Sequence, residues 1–370
     1  MPTLSPLSNI DFIFNSAAEP EMEEKIKVLV VDDASFMVRA ITEILSSDPG
    51  IEVVGSARNG LEALDKIKTL QPDVITLDID MPIMDGIRTI RHIMIEFPIP
   101  IVVLSSLFGD GAITFEALRL GVVDFLPKPS GAISKDIHRA KQQIVDRVKI
   151  AASVNMQNIR RVKLKKRDTR GELAERYGFQ SLEYILLVGT TLGGPNTAIR
   201  LLSNLSPQLP MTAVLVQEIA PKILPAFVKK FDEHMPWKIE IARDDVVLEQ
   251  GTCYVSAYEQ PIALHLNQNR EACLQKVDYP SGSLNALFTS AATIFENHTI
   301  GVLLTGVGDD GIDGFNSIKE KSGITIVQRS DTCVYPNLAQ CAIEHGNVDF
   351  IVDENEIPKQ IKSIVDSAVQ

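Results

Sequence analysis

The chain of 370 residues carries a net charge of −12 and is 45% hydrophobic and 23% charged, the balance of a soluble globular protein. That length is too great for one ordinary core and predicts two domains, while a pI near 5.1 argues against a nucleic-acid footprint over the whole chain. Its apolar runs are strand-length, so no segment is a transmembrane candidate.

Met1-Pro2-Thr3-Leu4-Ser5-Pro6 lacks the basic start of a signal peptide. Residues 1–25 carry Pro, Ser and Asn with Glu19, Glu21, Glu23 and Glu24, which predicts a poorly ordered extension. Within it, Ile10-Asp11-Phe12-Ile13-Phe14 has the apolar character of a docking peptide.

Lys27 to Val31 is a β-branched run ending in Asp32-Asp33, the pattern of a buried parallel strand. Phe36, Ala40, Ile44 and Leu45 have helical spacing. Strands follow at Ile51 to Ser56, Asp73 to Leu77, Ile101 to Leu104 and Val122 to Leu126. Helices fall between them at Leu61 to Leu70, Ile87 to Phe97 and Thr114 to Leu120. Five strands alternating with helices predict a doubly wound parallel sheet.

Polar residues stand at the carboxyl ends of these strands, the edge where open α/β sheets bind ligands: Asp32, Asp33, Asp78, Ser105 and Lys128. Single Asp residues there would serve as turn and cap residues, but five ordered groups form a site. Crowded carboxylates need a cation, and oxygen-only ligands suit Mg²⁺. An Asp is also a nucleophile that can form an aspartyl phosphate, with Lys128 and Ser105 placed to neutralise and donate to the phosphoryl oxygens.

Motif for motif, residues 26 to about 145 resemble a response-regulator receiver domain. The resemblance makes Asp78 the phosphorylated residue, with Asp32, Asp33 and Asp78 at Mg²⁺. It gives Ser105 and Lys128 to the phosphate and Phe125 to the aromatic switch position.

Helical periodicity runs from Ser134 to Val154, and residues 160 to 170 are strongly basic: Arg160, Arg161, Lys163, Lys165, Lys166, Arg167 and Arg170 against Asp168. A linker over 146–183 is expected, a solvated tether rather than a surface for an acidic partner.

From Ile185 the alternation resumes. Strands are expected at Ile185 to Val188, Ala213 to Val216, Ile300 to Leu304, Ile324 to Gln328 and Phe350 to Val352, and helices at Pro195 to Leu202, Pro221 to Phe231 and Ile312 to Lys319. Cys253 to Ser256 and Ile262 to Leu266 read as a hairpin-like excursion. A second α/β domain with a mostly parallel sheet follows. Cys253, Cys273, Cys333 and Cys341 have no metal-ligand spacing and read as buried thiols in a reducing cytoplasm.

Val188-Gly189-Thr190-Thr191-Leu192-Gly193-Gly194 is a strand entering a glycine turn and a helix, whose free amides suit an oxyanion. With Gln217-Glu218-Ile219, Ser283-Leu284-Asn285-Ala286-Leu287-Phe288 and Gly306-Val307-Gly308-Asp309-Asp310-Gly311, it resembles the catalytic domain of the CheB family over residues 184–370. CheB proteins are chemotaxis response regulators and protein-glutamate methylesterases, also glutamine deamidases. The resemblance puts Thr191 at the nucleophile, Glu218 at the base, Asp310 at the acid, and Leu192, Gly193 and Gly194 at the oxyanion turn.

Two of these positions depart from the family, which has Ser and His where this chain has Thr191 and Glu218. Further departures are Val307 for Met, Asn285 for Asp, and a missing Gly-Met-Pro turn around Tyr335-Pro336-Asn337-Leu338. A hydroxyl nucleophile needs a base, and a carboxylate with an ordinary pKa of about 4.3 accepts its proton poorly. His234, His265, His298 and His345 read as satisfied structural histidines, and no spacing delivers one to Thr191.

The expectation is therefore a cytoplasmic CheB-like regulator with a degenerate effector domain, partnered by a CheA-type histidine kinase and by chemoreceptors. DNA binding is not expected, since nothing resembles a helix-turn-helix, and membrane insertion is not expected, since the apolar runs are strand-length. An alternative is a slow hydrolase using Thr191; a third reading joins Glu218, Asp309 and Asp310 around a cation.

Overall fold

The structure, a computed structural model, describes residues 24–106, 111–129, 135–159, 182–279 and 282–367. The expected extension up to residue 23 and the basic run 160–170 lie outside the described residues.

The first unit is a five-stranded parallel sheet in the order β2-β1-β3-β4-β5. Its strands are β1 (Ile26–Val31), β2 (Ile51–Ala57), β3 (Val74–Leu77), β4 (Ile101–Ser105) and β5 (Asp124–Pro127). Helices α1 (Ser35–Leu45), α2 (Gly60–Leu70), α3 (Gly86–Glu96), α4 (Gly111–Leu120) and α5 (Lys135–Ala152) intervene. Sandwiching between helices explains why Val28, Leu29, Val30 and Val31 are all buried and why β1 has no polar alternation. Helix starts are written in the sequence: Asn59 accepts from Glu62 N at 3.0 Å and Asp85 from Arg88 N at 2.8 Å.

Phe36 corrects the expected face of α1, being 68% exposed. The helix buries Ile41, Ile44 and Leu45, and at 100° per residue Phe36 lies about 130° from the centre of that stripe.

The second unit is a seven-stranded parallel sheet in the order β14-β13-β12-β6-β7-β9-β8. Its strands are β6 (Tyr184–Thr190), β7 (Met211–Gln217), β8 (Lys238–Ile241), β9 (Thr252–Ala257), β12 (Thr299–Leu303), β13 (Ile324–Gln328) and β14 (Phe350–Val352). The helices are α6 (Gly194–Asn204), α7 (Leu224–Glu233), α8 (Ser283–Phe295), α9 (Ile312–Glu320), α10 (Asn337–His345) and α11 (Ile357–Ser367).

The hairpin was expected with the wrong partner. Ile262–Leu266 (β10) pairs antiparallel with Ala272–Lys276 (β11), whereas Cys253 to Ser256 lies inside the parallel sheet. Every residue of β9 is buried, as a strand covered on both faces must be. The half-polar β11 and the edge strand β8 offer too little apolar pattern to be found from sequence alone.

The two units pack on one another through α4 and α7. Phe115 places its ring 5.5 Å from Phe227 and 6.2 Å from Phe231, and stacks on His234 at 5.6 Å. Asn196 of α6 donates to the carbonyls of Leu118 and Arg119 at 3.2 and 3.3 Å, satisfying the end of α4. Asn196 is itself gripped by Arg200, which pairs with the buried Glu354.

The helix contact is close because Gly111 has no side chain: a Cβ there would sit 2.5 Å from the Phe227 nitrogen. Gly111→Leu is expected to wedge α4 off α7. Amide exchange in residues 224–233 should rise at least tenfold while the sheet cores stay protected, and unchanged exchange would contradict this packing.

Candidate functional site

Two groups of functional side chains stand at carboxyl ends of strands, one in each sheet. In the first sheet, β1 delivers Asp32 and Asp33, β3 delivers Asp78, β4 ends on Ser105 and the turn after β5 carries Lys128. Lys128 Nζ lies 2.6 Å from Asp32 Oδ2 and 2.7 Å from Asp78 Oδ2. Asp78 Oδ1 also accepts from Ile79 N at 2.7 Å. Burial pushes the Asp78 carboxyl above its ordinary range, and the ammonium of Lys128 opposes that shift. For Lys128 burial works downward, yet its bonds to both carboxylates carry it above its ordinary value.

Asp32, Asp33 and Asp78 each offer a ligand atom within 4.8 Å of the others, the one such group among the described residues. Asp33 is exposed and the other two are buried, so this cluster of hard oxygen ligands meets solvent through Asp33. That donor set fits Mg²⁺, which keeps several waters and takes few carboxylates. Ser105 is buried, and its carbonyl accepts from Lys128 N at 3.1 Å. Phe125 is buried at the end of this sheet and lines a cavity of about 500 Å³ between the two units.

The opposite wall of that cavity belongs to the second site, through Glu218, Ile219 and Tyr258. Here the three expected triad positions are each engaged elsewhere. Thr191 is 5% exposed; its Oγ1 accepts from Val307 N at 2.6 Å and lies 3.2 Å from Val307 O, the carbonyl that takes its proton. Glu218 receives both terminal nitrogens of Arg147, a residue of α5 in the other unit. Asp310 accepts from Leu284 N at 2.9 Å and Asn285 N at 3.0 Å, capping α8.

The turn at Leu192, Gly193 and Gly194 opens α6, with Gly193 at φ 70°. It is covered: Leu192 and Val334 are buried within the core that contains α5, and a Cβ on Gly193 would touch Val334 at 3.0 Å. Residues just after α5 hold this cover down, Asn155 N bonding Val334 O at 3.0 Å. The 335–338 turn clamps the loop of Val307: Leu338 N donates to Gly306 O at 2.9 Å and Gly308 N donates to Asn337 Oδ1 at 2.7 Å. Asn285 Oδ1 accepts from Gly311 N and Gly314 N at 3.1 and 2.8 Å.

A cation held by Glu218, Asp309 and Asp310 is corrected by this geometry. Glu218 faces Arg147, and these carboxylates do not gather among the described residues. His234 is stacked on Phe115, His298 meets the Tyr184 ring edge at 4.8 Å, and His345 Nδ1 lies 3.2 Å from Cys341 O. His265 Nε2 lies 3.6 Å from Asp245 Oδ1, while its Nδ1 has no protein partner. No described histidine hydrogen-bonds Thr191. Cys253, Cys273 and Cys333 are buried as expected, and Cys341 is half-buried.

Sequence reasoning missed Arg147 and Tyr258. Tyr258 lines both the cavity shared by the two units and an acidic cavity of about 610 Å³ with Asp309, Asp310 and His345. Burial, then the charges of Asp310 and Asp309, push its phenol far up. No local pattern announces either residue.

Asp310 is thus a helix cap in this structure. Asp310→Ala would leave two buried amides unsatisfied and is expected to cost about 1–3 kcal/mol. Chemical denaturation should show that loss, and an unshifted midpoint would contradict the capping role.

A family model described as CheB methylesterase matches residues 186–361, and one described as response regulator receiver domain matches residues 28–139. The chain is 33% identical over 358 residues to a protein-glutamate methylesterase/protein-glutamine glutaminase of Pyrococcus horikoshii, covering 94% of this chain and 95% of that one. A second such protein, from Carboxydothermus hydrogenoformans, is 36% identical over 355 residues, covering 92% and 99%. The solved response regulator domain of Thermotoga maritima CheB is 44% identical, covers 36% of this chain and 99% of that domain, and has a TM-score of 0.33.

Proposed function

The chain belongs to the CheB methylesterase family, and on that premise we propose that it is a phosphorylation-regulated signalling protein whose effector domain has lost the hydrolysis of its relatives. The relatives it matches are named for ester and amide hydrolysis on protein side chains. The observation that carries the reading is the commitment of Glu218. At the position of the family's base stands a carboxylate whose oxygens face a guanidinium, while the Thr191 hydroxyl is spent on Val307.

In this reading the receiver runs from residue 26 through the end of α5 at Ala152, past the expected boundary at 145, because Val148 and Ala151 pack in the same core as Ile144 and Val145. The linker expected over 146–183 then starts after that helix, the effector domain spans 184–370, and an extension over 1–25 precedes the receiver. Asp78 takes the phosphoryl group, Lys128 neutralises it and Ser105 donates to it. Asp32, Asp33 and Asp78 would hold Mg²⁺, which supplies charge for binding the phosphoryl oxygens. Phe125 transmits the change to the cavity it shares with Glu218. A CheA-type histidine kinase is the phosphodonor, chemoreceptors are the surfaces the effector domain meets, and a reducing cytoplasm suits four unpaired thiols. No helix among the described residues is long and apolar enough to cross a membrane.

The test pairs two assays on one preparation: phosphoryl uptake from a small phosphodonor, and methanol release from methylated receptor. Uptake without release supports the reading. Release at the rate of an intact relative rejects the loss of hydrolysis, and absence of uptake rejects the regulatory half.

A further inference from the structure

We propose that Arg147 closes an interdomain latch, with Glu218 serving as the docking point of the receiver where the family has its base. The guanidinium sits between two carboxylates. Its Nη1 lies 3.2 Å from Glu218 Oε2, its Nη2 bonds Glu218 Oε1, and its Nε lies 3.4 Å from Asp124 Oδ2. The fork of an arginine matches a carboxylate in this two-pronged way and cannot match an imidazole. The replacement at position 218 and the arginine on α5 therefore fit each other as a pair.

Burial favours the contact. The Arg147 side chain is 14% exposed and that of Glu218 33% exposed, so the pair is less screened than a surface ion pair. Asp124 adds the link to the receiver. It begins β5, its Oδ1 accepts from Phe125 N at 2.7 Å, and Phe125 lines the cavity whose far wall holds Glu218. Burial pushes the Asp124 carboxyl up and Arg147 offsets this, so Asp124 also needs the arginine where it stands. A shift of β5 or Phe125 would pull one carboxylate from the guanidinium and loosen the other. The contact is separate from the apolar docking of α4, which rests on Phe115 and Gly111.

The regulatory half of this inference rests on reading the first unit as a receiver switched at Asp78; the latch itself rests only on the contact. Amide exchange on the full chain tests both, read in residues 143–149 and 218–223, with the cores of β3 and β12 as folding controls. Arg147→Gln and Glu218→Gln should each raise exchange in both segments about tenfold, and the double variant should add nothing to either. Equal exchange in the wild type and both single variants, or effects that multiply in the double variant, would overturn the latch. If a glutamine variant loses core protection, Arg147→Lys keeps the charge without the fork and should give a smaller rise in the same segments; a lysine variant identical to the wild type would overturn the two-pronged pairing. Beryllofluoride with Mg²⁺ should raise exchange in the wild type and add little in Glu218→Gln. A wild type indifferent to beryllofluoride, with the non-additive cycle intact, would overturn the regulatory half and leave a fixed clamp.

Discussion

Asp78→Asn is expected to abolish phosphoryl uptake, with labelling reduced at least a hundredfold under saturating phosphodonor and Mg²⁺. In the proposed step a carboxylate oxygen of Asp78 attacks the phosphorus, an acyl phosphate bond forms, and the donor's leaving group departs with the electrons of the broken bond. An amide keeps the volume of the side chain but supplies no anionic oxygen. The fold should tolerate the change, since Ile79 N can still donate to the amide oxygen where it now meets Asp78 Oδ1 at 2.7 Å. Lys128 would retain Asp32 at 2.6 Å as a partner, so its ammonium would not be orphaned. The nearest other carboxylates, Asp32 and Asp33, belong to different strand-end positions and should not substitute. Labelling of Asp78→Asn equal to that of the parent chain, located by peptide mapping, would show that the acceptor lies elsewhere.

Most of the receiver site was legible because a parallel sheet makes it so. Each strand is a buried apolar run, so the residue where the run stops marks the sheet edge, and Asp32, Asp78, Ser105 and Lys128 all stop such runs. The second sheet was legible for the same reason at Thr191 and Glu218, which follow β6 and β7. What failed was whatever depends on contact between distant segments. Arg147 and Glu218 are 71 residues apart, and Asn196 meets carbonyls 77 and 78 residues away. A polar residue on α5 looks like any other solvated helix position until the second domain is in place. Position 36 differs in kind: Ala40 and Ile44 follow it at helical spacing, but the sheet selects the stripe centred on Ile41, Ile44 and Leu45. Periodicity gives the existence of a face, and packing chooses which one is buried.

The chain is expected to release no measurable methanol from methylated receptor, with its receiver phosphorylated or not. Attack by Thr191 requires its proton to leave as the bond to the ester carbon forms, and the hydroxyl now lies 3.2 Å from Val307 O, a carbonyl that cannot act as a base. Glu218 has its oxygens on Arg147. The acid of the set, Asp310, accepts from the amides of α8 at 2.9 and 3.0 Å, and no hydrogen bond joins it to Thr191 or Glu218 among the described residues. Loss of members of such a unit lowers the rate by roughly four to six powers of ten. Because these losses are not additive, repair must be joint. Thr191→Ser alone removes a methyl group from the attack but leaves no base, and should stay at background. Thr191→Ser with Glu218→His supplies an imidazole and also frees Arg147 to keep only Asp124, so the second domain should open as its base returns. Activity in that double variant, with none in either single variant, would show that the surrounding scaffold is still competent. Methanol release by the unaltered chain at the rate of an intact methylesterase would mean that Thr191 reaches its substrate in an arrangement in which both its bonds to Val307 and the pairing of Arg147 with Glu218 have been given up.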